Sequence, residues 1–362
     1  MATSPIDKIK LNTLDPNMLF AKWYPWQQFL DSIMKYSNVH GARAFLNWFP
    51  GPGRTQDNLD SLPFVYDKAT KKYDLVNWND AYKKRFVEVV TAFATAKKYL
   101  VISLIDYCSW QENKWKINPF KRSNNLQLVK GKMVPWGTDD CKMSHWTGGK
   151  ETGDLGPPVN ESLMVHYWAP LLDNLKALIP AKCLPYIKVE CANEPRQSLD
   201  PCNIITRWLT QFYGYKKSQD WMSITGGTFD QFCTYSENYQ WRGNEFGNYL
   251  SVCNVHSSRT PQEFKSTINS VKLPSIYKNI YYRMDTDGAK TPKGDYIAEP
   301  KWSKSNDNVT LLTAKEVRDI LGAFSCVGIM LHCDDAMHTD AEWEKTFARM
   351  EAQLCKPIQE FA

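Results

Sequence analysis

The run Tyr186–Ala192, "YIKVECA", alternates like a half-buried strand and stops at Asn193-Glu194-Pro195. An acid beside a neutral amide at the end of a strand has two uses. It can cap the following turn, or it can hold and release a proton as a general acid/base. Ionisable groups stand at the ends of other strand-like runs too. Asp106 lies near the end of "YLVISLIDY" and His256 near the end of "YLSVCNVHS". Asp285, Thr286 and Asp287 end "NIYYRMDTDG", and His332, Asp334 and Asp335 end "CVGIMLHCDD". Arg43 sits inside "GARAFLNWF". Each is ordinary for a strand end; together they describe a site.

The stretch "HCDDAMH" also raises a metal reading, since His332, Cys333, Asp334, Asp335 and His338 are all ligating types. Strand geometry sends His332 and Cys333 to opposite sides, and no zinc-like spacing is complete. A rim histidine and aspartate contacting substrate hydroxyls is the better reading. No metal or cofactor is expected.

The elements that must position these residues follow a rhythm. Strands are expected at 18–25, 41–49, 99–107, 186–192, 221–227, 249–257, 279–288 and 326–335. Amphipathic helical patterns follow most of them. In 77–98, Tyr82, Phe86, Val89, Val90 and Phe93 fall on one face behind the capping pair Asn79-Asp80. Thr260-Pro261 with Glu263 opens another helix. Further helices are expected at 26–37, 163–178, 202–214, 313–324 and 340–354. "YLVISLIDY" is a continuous apolar run, as a strand buried on both faces requires.

Eight strands alternating with helices imply a parallel sheet with right-handed crossovers. The expected fold is an α/β (β/α)8 TIM barrel, a single domain over residues 1–362. An open doubly wound sheet is the competitor, but no G-x-G-x-x-G turn follows the first expected strand. Long loops follow the second and third expected strands, the latter running from Cys108 to about Ser162. In such barrels the chemistry sits at the C-terminal ends of the strands.

Composition narrows the partners. The 362 residues carry 44 basic and 39 acidic side chains, well mixed, for a net charge of +5. No basic arm marks a nucleic-acid partner. No window approaches about 18 consecutive apolar residues, so no membrane span is expected. Ten cysteines without a C-x-x-C pair read as buried thiols, not a disulfide framework. Aromatic residues make up 13% of the chain, many of them tryptophans in expected loops: Trp48, Trp110, Trp115, Trp136, Trp146, Trp241 and Trp302. Such rings either stack under sugars or lock long loops onto the body. The N-terminus lacks the apolar stretch of a signal peptide, which leaves the compartment open.

With these residues in place, the sequence resembles the clan A glycoside hydrolases, the retaining (β/α)8 group that includes the family-five cellulases and mannanases. "ANEP" on the fourth of eight strand–helix units carries the resemblance, joined by Arg43 in "ARAF" and His256 after the sixth strand. It covers residues 18–350, roughly. The resemblance implies that Glu194 is the acid/base, Asn193 binds a sugar 2-hydroxyl, and Arg43 lies near the nucleophile. It also implies an oligo- or polysaccharide substrate, for which the strand-end residues Asp106 and His332 and the loop rings Trp110 and Trp302 are further candidate contacts. The long aromatic loops suggest a cleft for several sugar units and endo-acting cleavage of β-linkages. A monomer is expected.

Glycosidic cleavage needs one carboxyl to protonate the leaving oxygen and a second to attack or to activate water. The family pattern places a Glu two residues ahead of a Gly after the seventh strand, but here Thr286 holds that place before Gly288. Three readings follow. Asp287 supplies the second carboxylate; or Glu299 in "YIAEPKW" does, if the seventh strand is 294–299; or there is none, and the barrel binds sugar without cutting it.

Overall fold

The computed structural model describes residues 13–15, 18–35, 40–46, 59–106, 115–137, 139, 169–193, 231–235, 252–255, 281–286 and 326–332. Twelve strands lie among them. Eight form a parallel closed barrel: β1 (Thr13–Asp15), β2 (Gly41–Phe45), β5 (Tyr99–Asp106), β8 (Ile187–Asn193), β9 (Gln231–Tyr235), β10 (Val252–Val255), β11 (Tyr281–Thr286) and β12 (Cys326–His332). Each pairs with the next in chain order, and β12 pairs back to β1 through Thr13 opposite Met330.

Two of the expected strands are displaced. Residues 18–25 are turn, and the first barrel strand is the three-residue β1. Leu19, Phe20, Ala21 and Tyr24 are buried by packing, not by strand pairing. Phe20 lies 5.0 Å from the Phe86 ring of helix α2 (Asp80–Thr95). The fifth place in the barrel belongs to β9 (Gln231–Tyr235), while 221–227 lie outside the described residues. The other six expected strands match barrel strands to within a few residues.

Helices α1 (Trp26–Met34), α2 and α3 (Ala169–Leu178) lie among the described residues. On α2 the apolar positions chosen by the 3.6-residue period are the buried ones: Tyr82, Phe86, Val89, Val90 and Phe93. The Asn79 side chain accepts a hydrogen bond from the Ala81 amide and caps the helix, a contribution of about 1 kcal/mol. Lys97, just past the end, takes the left-handed conformation (φ 55°) that closes many helices.

The expected long loops are not loops throughout. The connection after β2 contains β3 (Phe64–Asp67) and β4 (Lys72–Trp78), and that after β5 contains β6 (Asn125–Val129) and β7 (Lys132–Val134). They form one four-stranded sheet in the order β3-β4-β6-β7. Its β4–β6 pairing is parallel, joining two connections far apart in sequence.

Barrel closure places a strict demand at Gly41. Its neighbour on β5 is Tyr99, and a Cβ on Gly41 would fall 2.0 Å from the Tyr99 carbonyl oxygen. No flexible side chain can yield there, only backbone. Gly41→Ala is therefore expected to cost about 3 kcal/mol, at the upper end for overpacking, read as a lower urea midpoint. An unchanged midpoint would mean that β2 and β5 do not approach so closely.

Candidate functional site

Because all eight barrel strands are parallel, their C-terminal ends share one rim. The residues ending them are Asp15, Phe45, Asp106, Asn193, Tyr235, Val255, Thr286 and His332. Two register pairs bring polar positions together: Asp106 is opposite Asn193, and Asp15 is opposite His332. Asp15 was missed by sequence reasoning, which put the first strand too late. The cue was the Pro16 that follows it, a residue that ends many short strands.

Of the residues selected from sequence, Arg43, Asp106, Asn193 and His332 lie on described barrel strands. Glu194 is next in the chain after Asn193, His256 after Val255, and Asp287 after Thr286. These three, with Trp110, Glu299 and Trp302, lie outside the described residues. The seventh barrel strand is Tyr281–Thr286, so the place that 294–299 would need is already taken.

Arg43 is fully buried in the middle of β2, opposite Val101, with its guanidinium 5.2 Å from the centre of the Phe45 ring. Ser103, opposite Phe45, is also fully buried. A cation this deep is costly to desolvate, and it favours the ionised form of any nearby carboxyl. Position 43 is thus suited to holding a carboxylate charged.

The rim end of β2 is fastened from two sides. The Leu46 amide donates to the Ser103 carbonyl at 2.8 Å, and the Tyr82 hydroxyl donates to the Leu46 carbonyl at 2.6 Å. Burial pushes the Tyr82 hydroxyl far above its ordinary pKa, so it stays a neutral donor. Arg85, one turn along α2, donates to the Phe20 and Asp60 carbonyls. Burial lowers its pKa, yet it remains the cation that ties the connections after β1 and β2 together. The Lys22–Asp60 ion pair at 3.1 Å spans the same two connections.

The tryptophans divide. Trp115 and Trp136 are buried, and the Trp115 indole nitrogen donates to the Asp139 carbonyl at 2.8 Å. These two lock the connection after β5 in place. Trp48, Trp110, Trp146, Trp241 and Trp302 lie outside the described residues. So does the 332–338 cluster apart from His332, and among the described residues no three His, Cys, Asp or Glu side chains come together as a metal site. Among those residues, too, no helix is long and apolar enough to cross a membrane.

No family model matches the sequence, and no curated protein sequence does. Solved structures do match the fold. An endo-1,4-beta-mannanase from Rhizomucor miehei superposes with a TM-score of 0.52 at 12% identity, covering 95% of each chain. A GH5-4 broad-specificity endoglucanase from an uncultured bacterium gives 0.52 at 14% identity, over 98% of this chain and 94% of that one. A glycoside hydrolase family 5 enzyme from Prevotella bryantii, solved with a xyloglucan tetradecasaccharide, gives 0.51 at 12% identity over 98% and 99%. The fold of this chain is the (β/α)8 barrel that these solved enzymes share. At this identity the likeness is one of fold, and fold alone does not assign an activity.

Proposed function

We propose that the protein is a glycoside hydrolase that cleaves β-glycosidic bonds within a polysaccharide, with Glu194 as general acid/base. The observation that carries this reading is the position of Asn193. It ends the fourth barrel strand, opposite Asp106, on the rim that also bears His332, and Glu194 follows it directly. The chemistry needs a proton donor there, beside a neutral hydrogen-bonding amide. Burial or a neighbouring carboxylate would raise the Glu194 pKa enough for it to keep its proton near neutral pH.

The second carboxylate is Asp287 or, from further along the same connection after β11, Glu299. Asp287 is favoured by the barrel order, because it directly follows the seventh strand. Its shorter side chain widens the gap to Glu194 and favours inversion over retention. Arg43 holds that carboxylate ionised; Asp106, His256 and His332 bind hydroxyls, and Trp110 and Trp302 stack on sugar rings. The whole of residues 1–362 forms one catalytic domain, acting as a monomer. The likeness in fold to a mannanase, an endoglucanase and a xyloglucan-bound enzyme supports an endo-acting reading. The second reading, a barrel that binds glycan without cutting it, rests on Thr286 in the place where the family pattern has Glu.

Reducing-end release from β-glucan, mannan and xylan tests the proposal. At least one should yield new ends with a rapid fall in viscosity, as internal cleavage requires. Binding to one of them without any release would favour the silent barrel.

A further inference from the structure

The four-stranded sheet collects cations at one end. Because β4 and β6 run parallel with Tyr73 opposite Asn125, the turn at 68–71 stands beside residues 121–124. That end carries Lys68, Lys71, Lys72, Lys121 and Arg122, all exposed or half-buried.

The carboxylates nearby are already occupied by neutral donors. Asp67 accepts from the Ala69 amide at 2.8 Å and the Thr70 hydroxyl at 2.7 Å. Asp74 accepts from the amides of Val76 and Asn77 and from the Asn77 side chain. Asp139 accepts from the Ser123 amide at 2.8 Å. Burial pushes the Asp139 pKa up, but its bonds to Ser123 and the charges of Lys121 and Arg122 outweigh this and hold it below the ordinary value. Among the described residues no ion pair engages Lys68, Lys71 or Lys72. Among the described residues this end therefore carries five cations against three carboxylates, a net positive charge.

We propose that this end of the sheet is a landing surface for an anionic glycan, a polysaccharide bearing carboxylate or sulfate groups. Both strand pairs of the sheet lie in connections that leave the rim, after β2 and after β5, so a chain drawn to these lysines is held on the candidate active-site side of the barrel. The assignment rests on the glycosidase reading for its choice of glycan over other polyanions, and it names the substrate class of that site.

The full-length chain is titrated with three oligosaccharides of equal length, one uronate-bearing, one sulfated and one neutral, at 20 and 200 mM salt. An anionic oligosaccharide should bind more tightly than the neutral one, and its affinity should fall by about a hundredfold or more across that salt range, as expected when three contacts release counterions. The anion that binds more tightly identifies the substituent. A Lys68→Gln/Lys71→Gln/Lys121→Gln variant, folded as judged by its melting temperature, should lose the salt-dependent part and leave neutral binding unchanged. Equal, salt-independent binding of all three, or retention of affinity within twofold in the variant, would overturn the proposal. So would tighter binding of a single-stranded DNA oligomer of equal charge, lost in the same variant. Salt-dependent glycan binding without any hydrolysis would support the landing surface while overturning the catalytic reading, so the two fail separately.

Discussion

Glu194→Gln should lower the cleavage of natural β-glycans by ~10²–10⁴, the range expected for removing a general acid/base. The loss should depend on the leaving group. A sugar leaves poorly without a proton, so a natural glycan feels the full deficit. An activated aryl glycoside leaves as a stable anion, so its first step should suffer much less. If the reaction proceeds through a glycosyl-enzyme, added azide should restore turnover of the aryl substrate, because a small anion needs no base to activate it. A variant within about threefold of wild type on natural glycans would reduce the end of β8 to a turn.

The second carboxylate should behave in the opposite way. Asp287→Asn and Glu299→Gln, made side by side, should differ sharply, with one losing activity on natural and aryl substrates alike. Improving the leaving group does not help when the nucleophile, or the base that activates water, is missing. An effect on the order of that of Glu194→Gln or larger is expected for the true partner. For the other, which remains a rim or loop acid, a few-fold change is expected. The barrel order favours Asp287, as the residue that follows β11. If neither substitution matters while Glu194→Gln does, the two-carboxylate mechanism is wrong for this chain.

Much of the barrel could be read from periodicity, and the failures have physical causes. β5 was legible because a strand buried on both faces must be largely apolar, and "YLVISLID" is so but for Ser103 and the closing Asp106. α2 was legible because its buried face repeats every 3.6 residues behind an Asn cap. β1 was not, because three residues carry no period, and the apolar turn that follows it mimics a strand. Its rings are buried against α2 instead, as the Phe20–Phe86 contact shows. The four-stranded sheet was missed because its pairing joins connections about 50 residues apart, through Tyr73 and Asn125, and no local signal announces such a partner. The tryptophans taught the same lesson. From sequence, Trp115 looks as suited to a sugar platform as any other, and only its burial reveals it as a loop anchor.

For the candidate site, the sequence identified the strand ends better than it identified their roles. Asp106, Asn193 and His332 were legible because polar residues that close apolar strands stand out, and Arg43 because a cation inside an apolar strand does. Which carboxylate would act with Glu194 in the proposed reaction was not legible, because that depends on a distance between connections that no spacing rule encodes.

That distance is the most direct test of the central claim, that two carboxylates flank a glycosidic bond at this rim. A crystal structure with a bound oligosaccharide should place the Glu194 carboxyl across the scissile oxygen from that of Asp287 or Glu299. A separation of about 5–5.5 Å would indicate retention, and about 6.5–9.5 Å inversion, the expected outcome if Asp287 is the partner. No carboxylate within ~10 Å of Glu194 on the substrate side would contradict the account.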